Sequence, residues 1–260
     1  MIMRKPFGGK ILLIRRKYVV ALALCVAVVA IFYVINHPAL VGATAQGRAL
    51  PIYSVQRDDR AMSLTFNVPV AQDCFTDQVL EALDALGVRA SFFVTGDWVR
   101  ENEALAVRLV ESGHELMNLS DDHSLLRKLT TSEIEANLLA CSAAIEAAVG
   151  VRPRVFRAPY GEYDDRIVAL AEGLGMQPVQ WSIDSGDWRR VDADAIARQV
   201  QSRAFPGAIV LLHSNLEQTA LAVPALVENL LEAGYLLVPV SELMHEAEFT
   251  VSITGRQVPG

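Results

Sequence analysis

The residues of this chain that could do chemistry fall in five short segments. They are Thr65-Phe66-Asn67-Val68-Pro69, Leu119-Ser120-Asp121-Asp122-His123, Arg157-Ala158-Pro159-Tyr160-Gly161, Asp184-Ser185-Gly186-Asp187-Trp188 and Leu211-Leu212-His213. Carboxylates and imidazoles are the groups that move protons near neutral pH or hold divalent metals. Taken singly, each segment reads as an ordinary polar loop, and Asp184 or Asp187 alone reads as a helix cap. Their joint occurrence, with Trp188 and Tyr160 among them, points to one functional surface.

The elements around these segments explain why they should meet. From residue 60, short apolar runs alternate with amphipathic ones. Strands are expected at Met62–Phe66, Ala90–Val94, Glu115–Leu119, Arg154–Arg157, Pro178–Ile183, Ala208–Leu212 and Tyr235–Pro239. Helices are expected near 73–86, 98–111, 131–149, 164–174, 192–204 and 218–233. In the third of these, Ile134, Leu138, Cys141, Ile145 and Val149 line one face at helical spacing. Thr130 with Glu133 forms a capping box at its start, and Gly150 closes it. Strands alternating with helices imply an α/β fold with a parallel sheet, open or closed into a barrel. No G-x-G-x-x-G follows the first strand, which argues against a dinucleotide site. In such folds chemistry sits at the carboxyl ends of the strands, where the five segments lie.

The same segments carry a family resemblance. The order and spacing of R-A-P-Y-G, D-S-G-D-W and L-L-H resemble the later motifs of the polysaccharide deacetylases, the NodB-homology domain of family 4 carbohydrate esterases. G-V-R-A-S-F-F-V-T-G (87–96) and G-H-E-L-M-N (113–118) resemble its framework. The resemblance implies a distorted (β/α) barrel with seven parallel strands over residues 59–246. It also implies removal of acetyl groups from N-acetylated glycans, chitin-like or peptidoglycan. In that family one Asp and two His hold a divalent metal, a second Asp is the base, and a His protonates the leaving amine. Carried over, His213 is the general acid and Asp187 its partner, while Arg157 orients the base. Tyr160, beside Pro159, offers a backbone N–H to the oxyanion, and Trp188 walls the sugar pocket. His123 is a metal ligand. His114 reads as structural, and His37 and His245 as incidental.

Two motifs depart from the family. Asn67 stands at the base position and Val68 at the metal carboxylate, where the family has T-F-D-D. Leu119 replaces the first metal His, leaving only His123. An amide is not a base near pH 7, and Val and Leu offer no lone pair. A catalytic zinc usually takes three protein ligands. No cofactor is therefore expected, unless Asp121 or Asp122 rebuilds a zinc site. T-F-N-V is similar to the membrane-anchored, sporulation-associated branch of the family.

Composition sets the remaining bounds. The formal net charge is −7, and residues 1–17 carry six basic residues and no acid, so the rest of the chain is at −13. An acidic domain is a poor nucleic-acid binder. Cys25, Cys74 and Cys141 follow no metal-ligand spacing, and Cys74 and Cys141 read as small core residues. Tyr18 to Ile35 is an unbroken apolar run, about 27 Å long as a helix. With Arg15-Arg16-Lys17 before it, residues 18–36 read as a transmembrane anchor. Residues 1–17 are then cytoplasmic and the domain outside. Cleavage after Ala45 as a signal peptide and a buried core helix are the competing readings. Residues 37–58 read as a linker and 247–260 as a loose tail. The functional expectation is a glycan-binding protein of deacetylase fold with impaired catalysis. The alternatives are an active deacetylase with a rearranged metal site and a non-enzymatic envelope scaffold.

Overall fold

Ala61–Val68 is buried at all eight positions, as a strand must be when helices cover one side and a barrel interior the other. The computed structural model of the chain describes residues 49–70 and 74–260. In chain order the elements are β1 (Ser54–Val55), β2 (Ala61–Val68), α1 (Thr76–Ala85), β3 (Ser91–Val94), α2 (Gly96–Glu101), α3 (Glu103–Glu111) and β4 (Glu115–Asn118). There follow α4 (Thr131–Val149), β5 (Val155–Phe156), α5 (Asp165–Gly173), β6 (Gln177–Pro178), β7 (Ile183–Asp184), α6 (Ala193–Gln201) and β8 (Ile209–His213). The last are α7 (Glu217–Glu232), β9 (Leu236–Leu237), α8 (Val240–Leu243), β10 (Phe249–Val251) and β11 (Arg256–Pro259).

The main sheet is parallel and curled, in the order β6-β5-β4-β3-β2-β8-β7, with β9 paired to the start of β2. This is a seven-strand half-barrel of the expected α/β class. Met62, Leu64, Phe66 and Val68 of β2 face the helices, in a cluster with Leu83, Phe92, Trp98 and Leu226. The interior is filled by Ile52, Val55, Phe93, Met117, Leu119, Val179 and Ile209. Each fully buried large apolar side chain here contributes roughly 1.5–3 kcal/mol. The capping box and the left-handed Gly150 bound α4 as its sequence predicts.

Five expectations need correction. The strand over Pro178–Ile183 is split into β6 and β7. Pro178 has no N–H to donate, and the segment changes partners: Gln180 N–H donates to Ile52 O at 2.7 Å, and Ser182 N–H to Ile209 O at 3.0 Å. Residues 49–58 of the presumed linker are part of the fold. Ile52 bridges Val179 and Ser54 bridges Ala208, so this segment fills the seam between the ends of the curled sheet. The presumed loose tail, 247–260, pairs as β10 and β11 beside β1. The single helix over 98–111 is two, because Asn102 at φ −130° caps both. Its amide donates to Trp98 O at 3.0 Å, and its carbonyl accepts from Leu105 and Ala106. Cys141 is buried as expected, whereas Cys74 is exposed.

Among the described residues no helix is long and apolar enough to cross a membrane. The anchor expected at 18–36 lies outside them.

Candidate active site

Strand register brings the five segments to one rim. Asn67 lies level with Phe93 on one side and His213 on the other, and Asn118 with Phe156 just before Arg157. Among the described residues, four non-glycine residues have positive φ: Ser120 (73°), His123 (59°), Tyr160 (60°) and Arg190 (57°). All four are in the loops that follow β4, β5 and β7. Left-handed backbone costs a non-glycine residue about 1–2 kcal/mol and concentrates at functional loops.

Arg157 is the centre of the arrangement. It is 0% exposed, with its guanidinium carbon 3.8 Å from the centroid of the Phe93 ring. Nη1 donates to Asn67 Oδ1 at 3.0 Å, and Nη2 to Thr65 Oγ1 at 2.9 Å and Gln180 O at 3.1 Å. Nε has no hydrogen-bond partner. All of these acceptors are neutral. Burial pushes the guanidinium down to about 9, and no carboxylate among the described residues opposes it. Thr65, Gln180 and Phe93 were not legible as partners, because a backbone carbonyl, and a hydroxyl and an aromatic ring two or more strands away, carry no sequence signature.

His213 and Asp187, the pair to which the resemblance assigns acid and partner, are in contact. Asp187 is buried and accepts from His213 N–H at 2.7 Å, from His213 Nδ1 at 2.8 Å and from Thr219 Oγ1 at 2.8 Å. An ionised carboxylate only accepts, so the imidazole carries its proton on Nδ1 and leaves Nε2 for the rim. Thr219, in the first turn of α7, is a further part that the sequence did not reveal. This is the geometry of a histidine able to hold and release a proton at Nε2.

The metal positions are different. Val68 is fully buried among the residues facing the helices, and Leu119 fully buried in the barrel interior. His123 packs edge-on to Tyr160, ring centroids 4.6 Å apart. Burial, and then the nearby His213, push its imidazole down to about 4. Asp121 pairs with Arg100 at 2.8 Å, and Asp122 accepts from Ser124 N–H and Asn137 Nδ2. Both carboxylates are engaged by other groups. Among the described residues no three His, Cys, Asp or Glu are grouped so as to hold a metal ion. A divalent metal held by three protein ligands does not fit the described residues of this site.

Trp188, 53% exposed, stands at the rim, with its indole N–H directed to the Asp184 carboxylate at 3.2 Å. Tyr160 is 62% exposed, and Pro159 before it is buried. His114 is structural: Ala90 N–H donates to its Nδ1 at 3.1 Å, far from the rim. A cleft of about 810 Å³ lies at the opposite end of the strands, beside His114, Arg154 and Met244. It contains none of the rim residues.

A family model described as polysaccharide deacetylase matches residues 54–179. A chitooligosaccharide deacetylase of Bradyrhizobium sp. (strain ANU 289) is 32% identical over 75% of this chain and 98% of its own length. The chain belongs to the polysaccharide deacetylase family. Peptidoglycan-N-acetylglucosamine deacetylase PgdA of Listeria monocytogenes is 33% identical over 73% of this chain, which spans 40% of that protein. Among solved structures, a family 4 carbohydrate esterase pseudoenzyme from Bacillus anthracis superposes with a TM-score of 0.72. It is 30% identical, with coverage of 82% of this chain and 74% of that one. A mutant of that pseudoenzyme, with restored enzymatic activity, superposes with a TM-score of 0.71 at 32% identity, covering 75% and 71% of the two chains. Members of this deacetylase family are generally metal-dependent.

Proposed function

We propose that this chain is an extracytoplasmic protein of deacetylase fold, anchored through residues 18–36, that binds N-acetylated cell-wall glycan without hydrolysing it. The observation that carries the reading is Arg157, fully buried and facing the amide of Asn67 where a base carboxylate would stand. Val68 and Leu119, apolar and buried, support it from the metal side. Without a base or a metal, the water attack on an acetamide has no driving group. The Asp187–His213 pair could still meet a sugar nitrogen, and Trp188 could still stack on a sugar ring. T-F-N-V adds a role in the sporulation envelope.

A second reading, slow deacetylation with a rearranged metal site, is favoured only by the intact Asp187–His213–Thr219 cluster. Binding of the protein to chitin oligomers and to peptidoglycan glycan strands tests the first reading. Binding that Trp188→Ala weakens at least fivefold is expected. No binding to either glycan contradicts it and favours the scaffold alternative.

A further inference from the structure

The loop after β7 places two arginines beside the exposed tryptophan. Arg189 and Arg190 are both exposed, and the Arg189 guanidinium carbon lies 4.8 Å from the centroid of the Trp188 ring. In this acidic chain Arg57, Arg89, Arg100 and Arg108 each reach a carboxylate. Neither Arg189 nor Arg190 does so among the described ion pairs.

The two carboxylates nearest Trp188 are engaged by protein groups, and those farther along, Asp192 and Asp194, are exposed at the start of α6. Asp184 accepts from Gly186 N–H at 2.8 Å and from the Trp188 indole. Asp187 serves His213 and Thr219, and Asp192 caps α6 through Ala195 N–H at 2.7 Å. Immediately after Trp188 in the chain, the two exposed guanidinium groups, which no described ion pair engages, offer a ligand positive charge. Arg190 moreover holds left-handed backbone at φ 57°, a conformation unfavourable for a β-carbon-bearing residue and common in ligand-binding loops.

We infer that Arg189 and Arg190, beside Trp188, select a glycan bearing carboxylates next to its N-acetyl groups over a neutral one. The inference rests on the glycan-binding reading and narrows its ligand class. The aromatic face takes a sugar ring, and the two guanidinium forks take the carboxylate. Chitin-type oligomers have no such group, whereas N-acetylmuramic acid carries one on its lactyl ether.

The test compares two probes of equal length on the full chain: chitotetraose, and the tetrasaccharide alternating N-acetylglucosamine and N-acetylmuramic acid. Titration calorimetry at low and high salt gives the affinities. The anionic sugar is expected to bind about tenfold more tightly, as two solvent-facing ion pairs allow, with an advantage that shrinks as salt rises. The double variant Arg189→Gln, Arg190→Gln is expected to lose that advantage and to retain its affinity for chitotetraose. Equal binding of both sugars by the unaltered chain overturns this inference while leaving the glycan reading intact. So does a folded double variant that keeps the preference. Failure of the unaltered chain to bind either sugar overturns both readings. The comparison on the unaltered chain decides the matter even where the double variant does not fold.

Discussion

Asn67→Asp should stabilise this protein at neutral pH, against the usual direction of point substitutions. Arg157 is a cation with no exposure, held by an amide, a hydroxyl and a carbonyl. Lowering a guanidinium from its ordinary value to about 9 corresponds to on the order of 5 kcal/mol of unfavourable burial. A carboxylate at position 67 replaces an acceptor already 3.0 Å from Nη1, with nearly the same shape. It returns part of that cost and adds its own desolvation, since Asn67 is buried. The net gain should be roughly 1–3 kcal/mol, about 2–4 °C in Tm per kcal/mol for a domain of this size. The sign with pH follows from the new carboxylate. Pairing with Arg157 lowers its folded pKa below the unfolded value of about 4. The gain is therefore present above about pH 4 and is lost as pH falls through the folded value. Urea unfolding of both proteins at pH 7 and near pH 3, followed by tryptophan fluorescence, measures it. An unchanged or lowered stability of Asn67→Asp at pH 7 would refute the view of Arg157 as an uncompensated charge.

Three further outcomes are expected. His123 has its folded pKa pushed down to about 4, so the folded state binds fewer protons than the unfolded state between there and about 6.5. Stability should fall by up to roughly 3 kcal/mol as pH drops through that window. His123→Asn, which tolerates the left-handed backbone, should flatten this part of the pH–stability curve. Gly207 has φ +84°, and an added Cβ would lie 1.7 Å from Val55 O, so Gly207→Ala must displace the seam segment. A loss of at least about 3 kcal/mol in urea unfolding is expected. Joint replacement Asn67→Asp, Val68→Asp and Leu119→His should create zinc uptake near one equivalent, read by metal analysis after dialysis. Absence of uptake would mean that these three positions do not share a site.

Much of the polar rim was legible because its motifs keep a fixed order at strand ends, and a parallel sheet brings successive strand ends to one edge. Asn67, Val68 and Leu119 could be singled out as chemically deficient only through the family resemblance, which assigns a base and two metal ligands to those positions. The electrostatic state of Arg157 could not be read that way, since it depends on which acceptors surround it and on complete burial. The Asp187–Thr219 contact was likewise hidden, because it joins residues 32 apart through the packing of α7 on the loop after β7. Strand interiors such as Leu64–Phe66 announced themselves by apolar content. The seam segment and the β10–β11 pair did not, because two- to four-residue strands give no periodicity to detect. Ile52, Val55 and the alternation of Phe249 and Val251 were the available signals. Buried strands that change partners midway, as at Val179–Ser182, read as one run.

The central claim is the absence of hydrolysis, and acetate release measures it most directly. The protein, supplied with zinc and N-acetylglucosamine oligomers at neutral pH, should release acetate no faster than the same mixture without protein. Sustained zinc-dependent release, abolished by His213→Ala, would contradict the account.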